Sequence, residues 1–240
     1  MKIIFTLFLS LIAVSAFAWD PNTEATWVAT LAPIMLNNNV ESLTKVVTET
    51  SETSITAQAI VGIAEHNLSR LAPLKGWAKK AATTLKTLTD SGIPEELKAI
   101  LLPYYGSSLS MEARDDFNPI SKLFTINEAF GVLDKAVQRY GSFSYYPWLI
   151  RAQVDWKVPD FFFKKGQAKS DLQVLLDWHQ QHPPLPQSAL AQVHLTWGEV
   201  QKNEGQLHLA LAAWKLAVQE DPQSLGPGKR AGELLARYEE

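Results

Sequence analysis

The stretch from Ala191 to Pro222 constrains the fold more than any other part of the chain, because its small and large apolar residues recur at helical spacing. Ala210, Ala213 and Ala217 lie three and four residues apart, which leaves one helix face low enough for a neighbouring helix to approach closely. Gly205 lies where a first helix would end with a residue of positive φ. The stretch therefore predicts two antiparallel helices joined by a tight turn.

The order of these residues also resembles a known repeat. With Ala191 as the first position of a unit of about 34 residues, Gly198 is eighth, Ala210 twentieth, Ala217 twenty-seventh and Pro222 thirty-second. This resembles the tetratricopeptide repeat (TPR), in which small residues let two helices touch and a proline ends the second. The resemblance implies an all-α fold of antiparallel helix hairpins stacked as a TPR-like α-solenoid. It also implies that the first helices of the pairs line a concave groove for a partner.

Apolar patterning extends this organisation to the rest of the chain, and no segment alternates strictly enough to predict a strand. Residues 19–53 are predicted to form N-terminal capping helices, residues 54–182 divergent TPR-like hairpins, and residues 183–240 a C-terminal TPR unit and capping helix. Gly106 lies at the expected contact of one helix pair. In that pair about eleven residues exceed the repeat length, which predicts an insertion near 113–126 that decorates one face.

The first residues predict export. Met1-Lys2 precede the apolar run IIFTLFLSLIAV, and Ala16-Phe17-Ala18 provides the small residues of an A-x-A cleavage site. We expect a signal peptide over residues 1–18 that is cleaved after Ala18, with retention as an anchor as the alternative. The run is too short for a comfortable membrane span. The expected product is a periplasmic protein without stable membrane insertion after cleavage.

The composition argues against several classes of catalytic and binding site. The chain has no cysteine, which excludes disulfides, thiolate catalysis and cysteine-containing metal sites. Its formal net charge is -3, and loss of Lys2 with the signal leaves 21 basic against 25 acidic residues, which argues against nucleic-acid binding. His179 and His182 lie one helical turn apart, but no third ligand at helical spacing completes a metal site. We therefore expect neither a metal nor a cofactor.

The charged group from Glu112 to Asp116 has two interpretations. Neighbouring carboxylates can act as acid and base on a glycan, but adjacent Asp115 and Asp116 cannot face each other across a substrate. The favoured interpretation is structural, with Asp115 paired to Arg114 or Arg151. Arg151 interrupts an otherwise apolar helix, so it too needs an acidic partner.

The TPR resemblance assigns a set of candidate binding residues by register. The groove is expected to be lined by Gln192, Leu195, Glu199 and Lys202 in the last unit and by Ser107, Ser110 and Arg114 in the hairpin with the insertion. The sequence therefore favours an exported, non-enzymatic binding or scaffolding protein with a protein or peptide partner. The alternatives are a glycan-cleaving envelope enzyme with its site near 112–116, and a structural protein that self-associates through a tryptophan-rich surface.

Overall fold

The computed structural model describes residues 19–181, 184–221 and 226–239, so the expected signal peptide, its cleavage site, His182 and Pro222 lie outside the described residues. Within those ranges the regular structure is helical, with no strand, which confirms the predicted all-α fold class. No helix in this part of the chain combines the length and the apolar character needed to cross a membrane.

Eleven α-helices and one 3₁₀ turn account for the regular structure of the described residues. The α-helices are α1 (Pro21–Met35), α2 (Val40–Glu49), α3 (Ile55–Leu71), α4 (Trp77–Asp90), α5 (Glu95–Asp115), α6 (Pro119–Tyr140), α7 (Tyr146–Lys157), α8 (Lys165–Gln181), α9 (Gln187–Asn203), α10 (Leu207–Glu220) and α11 (Pro227–Tyr238). The 3₁₀ turn, Asp160–Phe162, lies between α7 and α8.

The helices pack in consecutive pairs. Extensive contacts join α3 to α4, α5 to α6, α7 to α8 and α9 to α10, and short connections make the members of each pair antiparallel. The first helices of successive pairs also meet, because α3 contacts α5, α5 contacts α7, α7 contacts α9 and α9 contacts α11. The odd-numbered helices from α3 to α11 therefore lie side by side.

Glycines set the closest approaches within the pairs. A Cβ atom on Gly198 would lie 2.3 Å from the indole of Trp214, and one on Gly106 would lie 2.8 Å from Leu133. Gly62 lies against α4 in the same way. Trp214 is completely buried. The helix contacts expected at Gly106 and Gly198 are thus confirmed, and each requires a residue without a side chain.

The extra residues near 113–126 form no separate loop. Helix α5 continues to Asp115 and α6 begins at Pro119, so only a tight turn separates them. Asn118 starts α6 by accepting hydrogen bonds from two backbone N–H groups of its first turn, at 2.9 and 3.3 Å. The additional length instead extends the two helices, which have 21 and 22 residues.

The two N-terminal helices differ in their packing. Helix α2 packs mainly against α3, whereas α1 contacts both α3 and α5. The Tyr146 hydroxyl in α7 reaches the Met35 sulfur at the end of α1 (3.6 Å), and Asn67 donates to a carbonyl of the last turn of α1 (2.8 Å). At the other end Trp19 stacks on Phe143, with 5.3 Å between ring centroids. Helix α1 therefore lies across the odd-numbered helices and covers part of the surface that they share.

Candidate functional site

The surface formed by the odd-numbered helices on the side away from their even-numbered partners, here called the inner face, is the candidate site. The sequence assigned Leu195 to this face, but Leu195 is 7% exposed and packs in a cluster with Trp214. It lies one turn before Gly198 and so points to α10, together with the small residue that admits the tryptophan ring. Leu195 is a core residue rather than a groove residue.

Two of the other residues predicted on α9 are engaged in local contacts. The Gln192 amide donates to the Thr196 hydroxyl of the same helix (3.1 Å). The Lys202 ammonium lies over the Tyr238 ring of α11, 4.8 Å from its centroid. Glu199 accepts a hydrogen bond from the Trp156 indole (3.0 Å), which fixes its carboxylate between α7 and α9. Glu199 thus joins α9 to α7, and Lys202 joins α9 to α11.

The residues predicted on α5 lie beside α3. Ser107 shares a hydrogen bond with the imidazole of His66 (3.0 Å), and Arg114 donates to the Ser69 carbonyl (2.9 Å). Ser110 donates to the Ser107 carbonyl in its own helix (2.7 Å). Ser107 and Arg114 therefore tie α5 to α3.

His66 is a neutral packing residue in this contact. Burial lowers its pKa to about 3, and the nearby positive charges of Arg70 and Lys157 act in the same direction. Its ring meets the edge of the Tyr104 ring, with centroids 4.8 Å apart. The imidazole is thus uncharged near neutral pH and unsuited to proton transfer there.

Two cations in the same region have no acidic partner in the part of the chain that the structure describes. Arg70 donates to the Asn38 side chain, and Lys157 makes no ion pair or hydrogen bond within the described ranges. Both side chains reach solvent. Loss of surrounding water nevertheless lowers the pKa of each, and repulsion from Arg70 lowers the pKa of Lys157 further, against the attraction of Glu199. Both side chains are therefore accessible to a partner, although neighbouring protein groups displace part of their hydration.

Asp115 belongs to a structural contact. Its carboxylate accepts from the Arg114 guanidinium (2.7 Å) and from the Leu74 backbone N–H (3.1 Å). Partial burial acts to raise the pKa of Asp115, but these two hydrogen bonds outweigh it and lower the pKa. The contact holds the α3–α4 turn against the end of α5.

The neighbouring carboxylates do not form a facing pair. A hydrogen bond from Ser121 lowers the pKa of Asp116, which favours the ionised form of that half-buried group. Partial burial raises the pKa of Glu112, the charge of Lys79 opposes this, and the charges of Glu128 on α6 and of Asp116 raise it further. Asp115 and Asp116 are thus held by local hydrogen bonds, and Glu128 is the carboxylate on the neighbouring helix whose charge acts on Glu112.

Arg151 connects three helices. Its guanidinium donates to both carboxylate oxygens of Asp171 on α8 (2.8 Å each) and to Asp134 on α6 (2.9 Å). The arginine and Asp171 are buried, whereas Asp134 reaches solvent. This bidentate geometry satisfies the charge that the sequence placed in an apolar helix.

One turn after Arg151, the Asp155 carboxyl group is completely buried, and neither oxygen has a hydrogen-bond partner among the residues that the structure describes. Burial raises its pKa to about 7, while Lys164 and Arg151 partly oppose this rise. The sequence reasoning missed this residue. The available signal was an acidic residue four positions after an arginine that was itself expected to need a partner.

An open cleft elsewhere in the fold has charges that are largely paired. It has a volume of about 220 Å³ and lies between α4, α5 and α6. On its walls Lys86 pairs with Asp90 (2.6 Å), and the Tyr105 hydroxyl donates to Glu128 (3.0 Å). No group of three acidic or histidine side chains in the described ranges is arranged to hold a metal ion. The cleft is therefore a weaker candidate than the inner face.

Comparison with known proteins identifies no relative. No protein-family model, curated protein or solved structure matches the chain. The helix contacts and the side chains of the inner face are therefore the basis for a functional proposal.

Proposed function

We propose that this is an exported, non-enzymatic TPR-like binding protein whose inner face holds an acidic segment of a protein partner. The single observation that carries the proposal is the pair of solvent-accessible cations, Arg70 on α3 and Lys157 on α7, which have no acidic partner within the described ranges. Export and a periplasmic location rest on the signal sequence over residues 1–18.

The order of helix contacts supports the solenoid arrangement. In a solenoid each repeat touches its neighbours, and the first helices of successive repeats line one side. The contacts of α3, α5, α7, α9 and α11 with one another follow that order. The close-contact glycines Gly62, Gly106 and Gly198 recur in three of these helices.

Helix α1 limits where a partner can bind. It covers α3 and α5 and reaches Tyr146 at the start of α7. Arg70 lies in the last turn of α3 and Lys157 ends α7, and both side chains reach solvent beside these helix ends. A short extended segment fits this space better than a globular surface does.

The charges define the chemistry of that segment. Arg70 and Lys157 repel each other, and carboxylates from a partner would relieve the repulsion. Arginine can hold a carboxylate through two parallel hydrogen bonds. Glu199, fixed by Trp156 (3.0 Å), places one negative charge at the α9 side, which favours a definite orientation of the bound segment.

The experiment is affinity capture from envelope extract with the predicted mature chain, residues 19–240, followed by binding measurements with the acidic segment of the captured protein. The test variant is Arg70→Ala with Lys157→Ala. The matched control is Lys169→Ala with Lys215→Ala, which removes two exposed cations from the even-numbered helices α8 and α10. Circular dichroism first establishes that both variants are folded.

We expect the native protein and the control to capture the same partner and the inner-face variant to bind it at least roughly tenfold more weakly. Higher salt should also weaken binding. If all three proteins capture the same set, or if nothing is captured, the inner-face proposal is wrong.

A further inference from the structure

The most exposed large apolar side chains of the described residues are concentrated at one end of the helix stack. Six are more than 60% exposed: Leu74, Phe117, Ile120, Phe124, Phe161 and Phe163. They lie in the α3–α4 turn, in the α5–α6 turn with the first turns of α6, and in the segment between α7 and α8. Phe117 and Phe163 are 90% and 89% exposed.

These three turns form one edge of the molecule, here called the turn edge. Antiparallel pairing places every turn from an odd-numbered to an even-numbered helix at the same end. Asp115, at the end of α5, accepts from the Leu74 backbone N–H (3.1 Å) and joins the first two turns. Phe162 packs edge-on against Phe130 of α6 with centroids 5.5 Å apart, and Lys164 lies over the same ring at 4.6 Å. Phe130 lies eleven residues after Pro119, so the third turn lies beside the middle of α6, and Ile120 and Phe124 are exposed on α6 before that point.

The turn edge is also basic. Its three turns and the four helix residues on either side of each turn contain nine basic against five acidic residues, a net charge of +4, in a predicted mature chain whose net charge is -4. The basic residues are Arg70, Lys75, Lys79, Lys80, Arg114, Lys122, Lys157, Lys164 and Lys165, and the acidic ones are Glu112, Asp115, Asp116, Asp155 and Asp160. The edge thus combines protruding aromatic side chains with a charge opposite to that of the whole molecule.

We propose that the turn edge docks onto an anionic phospholipid surface, with Phe117, Phe124 and Phe163 entering the interface and the surrounding lysines contacting headgroups. Amphipathic protein surfaces bind membranes through buried apolar area together with attraction to anionic lipids. The association is peripheral and requires no spanning helix. It uses the protruding side chains of the turns, whereas the proposed peptide site uses Arg70 and Lys157 at the ends of α3 and α7, so the two surfaces adjoin but depend on different residues.

Two features favour a lipid surface over a protein partner. The aromatic side chains protrude from turns, whereas protein docking sites for peptides are concave. A second copy joined through a two-fold axis would bring the same positively charged edge against itself, which like-charge repulsion opposes. A lipid surface accepts separate protruding rings and supplies the opposite charge.

The test is co-sedimentation of residues 19–240 with vesicles of phosphatidylglycerol and phosphatidylethanolamine, and with vesicles of phosphatidylcholine alone. The test variant is Phe117→Ser with Phe163→Ser. The matched control is Leu209→Ser with Leu216→Ser, which removes two exposed apolar side chains from α10. A charge variant, Lys75→Glu with Lys122→Glu, is measured in parallel.

We expect the native protein and the control to sediment with the anionic vesicles, less so at high salt, and not with phosphatidylcholine. The phenylalanine variant should partition at least roughly tenfold more weakly, and the charge variant should also lose binding. Absence of binding to anionic vesicles, or equal binding by the phenylalanine variant, would overturn the proposal. A dimer in sedimentation velocity that the phenylalanine variant dissociates would overturn it in favour of a second copy as the occupant.

A fluorescent label provides an independent test. Because the chain has no cysteine, a single introduced cysteine can be labelled at a chosen position. Ser121→Cys places an environment-sensitive dye beside the turn edge, and Thr87→Cys places it near the opposite end of α4. Anionic vesicles should shift the emission to the blue at position 121 alone. A shift at both positions, or at neither, contradicts docking through this edge.

Discussion

Replacing Asp155 by asparagine should change how the stability of the protein depends on pH. The pKa of this buried carboxyl group is raised from 3.8 to about 7 in the folded protein, whereas the unfolded chain restores an ordinary value. Folding therefore takes up a proton between these two pKa values. The resulting loss of stability is absent below about pH 4, grows as the pH rises towards about 7 and is constant above it. Asparagine has the shape of the protonated acid and does not titrate, so the variant lacks this loss.

The expected size follows from the shift. A shift of about three pKa units corresponds to about 4 kcal/mol when Asp155 is fully ionised. Between about pH 5 and about pH 8, the free energy of unfolding of the native protein should fall by about 2.5 kcal/mol relative to that of the variant. His66, whose pKa is lowered to about 3, acts in the opposite direction because its unfolded form takes up a proton as the pH falls. Both proteins contain His66, so its contribution cancels in the difference.

Urea unfolding followed by circular dichroism and by tryptophan fluorescence at several pH values measures this difference, provided that the two probes give the same transition. Asp177→Asn is the matched control, because it removes an exposed carboxylate from α8 that accepts from Gln173 (2.9 Å). Its difference from the native protein should stay constant. If the Asp155→Asn difference also varies by less than about 0.5 kcal/mol across this range, the carboxylate has a partner such as Lys164 and the reasoning is refuted.

Two further substitutions test the packing and the buried ion pair. Gly198→Ala should destabilise the protein by about 1–3 kcal/mol, because its Cβ would lie 2.3 Å from Trp214, whereas Gly131→Ala meets nothing within 4 Å and should be neutral or stabilising. Thermal melts compare the two, and equal effects would contradict the close contact. Arg151→Met should cost about 3–5 kcal/mol because it leaves Asp171 buried without its two hydrogen bonds. Adding Asp171→Leu should restore much of the lost free energy of unfolding, as measured by urea unfolding. A double variant that is no more stable than Arg151→Met would show that the unpaired Asp171 is not the cause of the loss.

The sequence predicted the helix pairs because their contacts leave a local pattern. Small residues three, four and seven positions apart mark the face on which another helix packs, as for Gly198 beside Trp214. The same pattern does not show how many neighbours a helix has. Helix α9 contacts α7, α8, α10 and α11, so it is buried on more than one side and Leu195 lies in the core.

The candidate site was predicted only in part, because its decisive features depend on residues far apart in the chain. Ser107 and Glu199 do reach neighbouring helices. Arg70 and Lys157 each end a helix with a cation, which the helix dipole alone would explain. Their importance as a pair appears only when α3 and α7 are brought to either side of α5.

One buried position recurs in four of the odd-numbered helices, and Asp155 is the residue at that position in α7. Glu65 on α3, Leu109 on α5, Asp155 on α7 and Gln201 on α9 each lie three residues after a glycine or alanine. That spacing turns each side chain towards the same partner helix as the small residue. The Glu65 carboxylate accepts a hydrogen bond there from the Thr84 hydroxyl (2.7 Å), whereas the Asp155 carboxyl group and the Gln201 carbonyl oxygen have no partner within the described ranges. This position holds leucine in one pair and an amide in another, so its surroundings suit uncharged groups. The Asp155 carboxyl group is therefore accommodated in its protonated form, and its ionisation destabilises the folded protein.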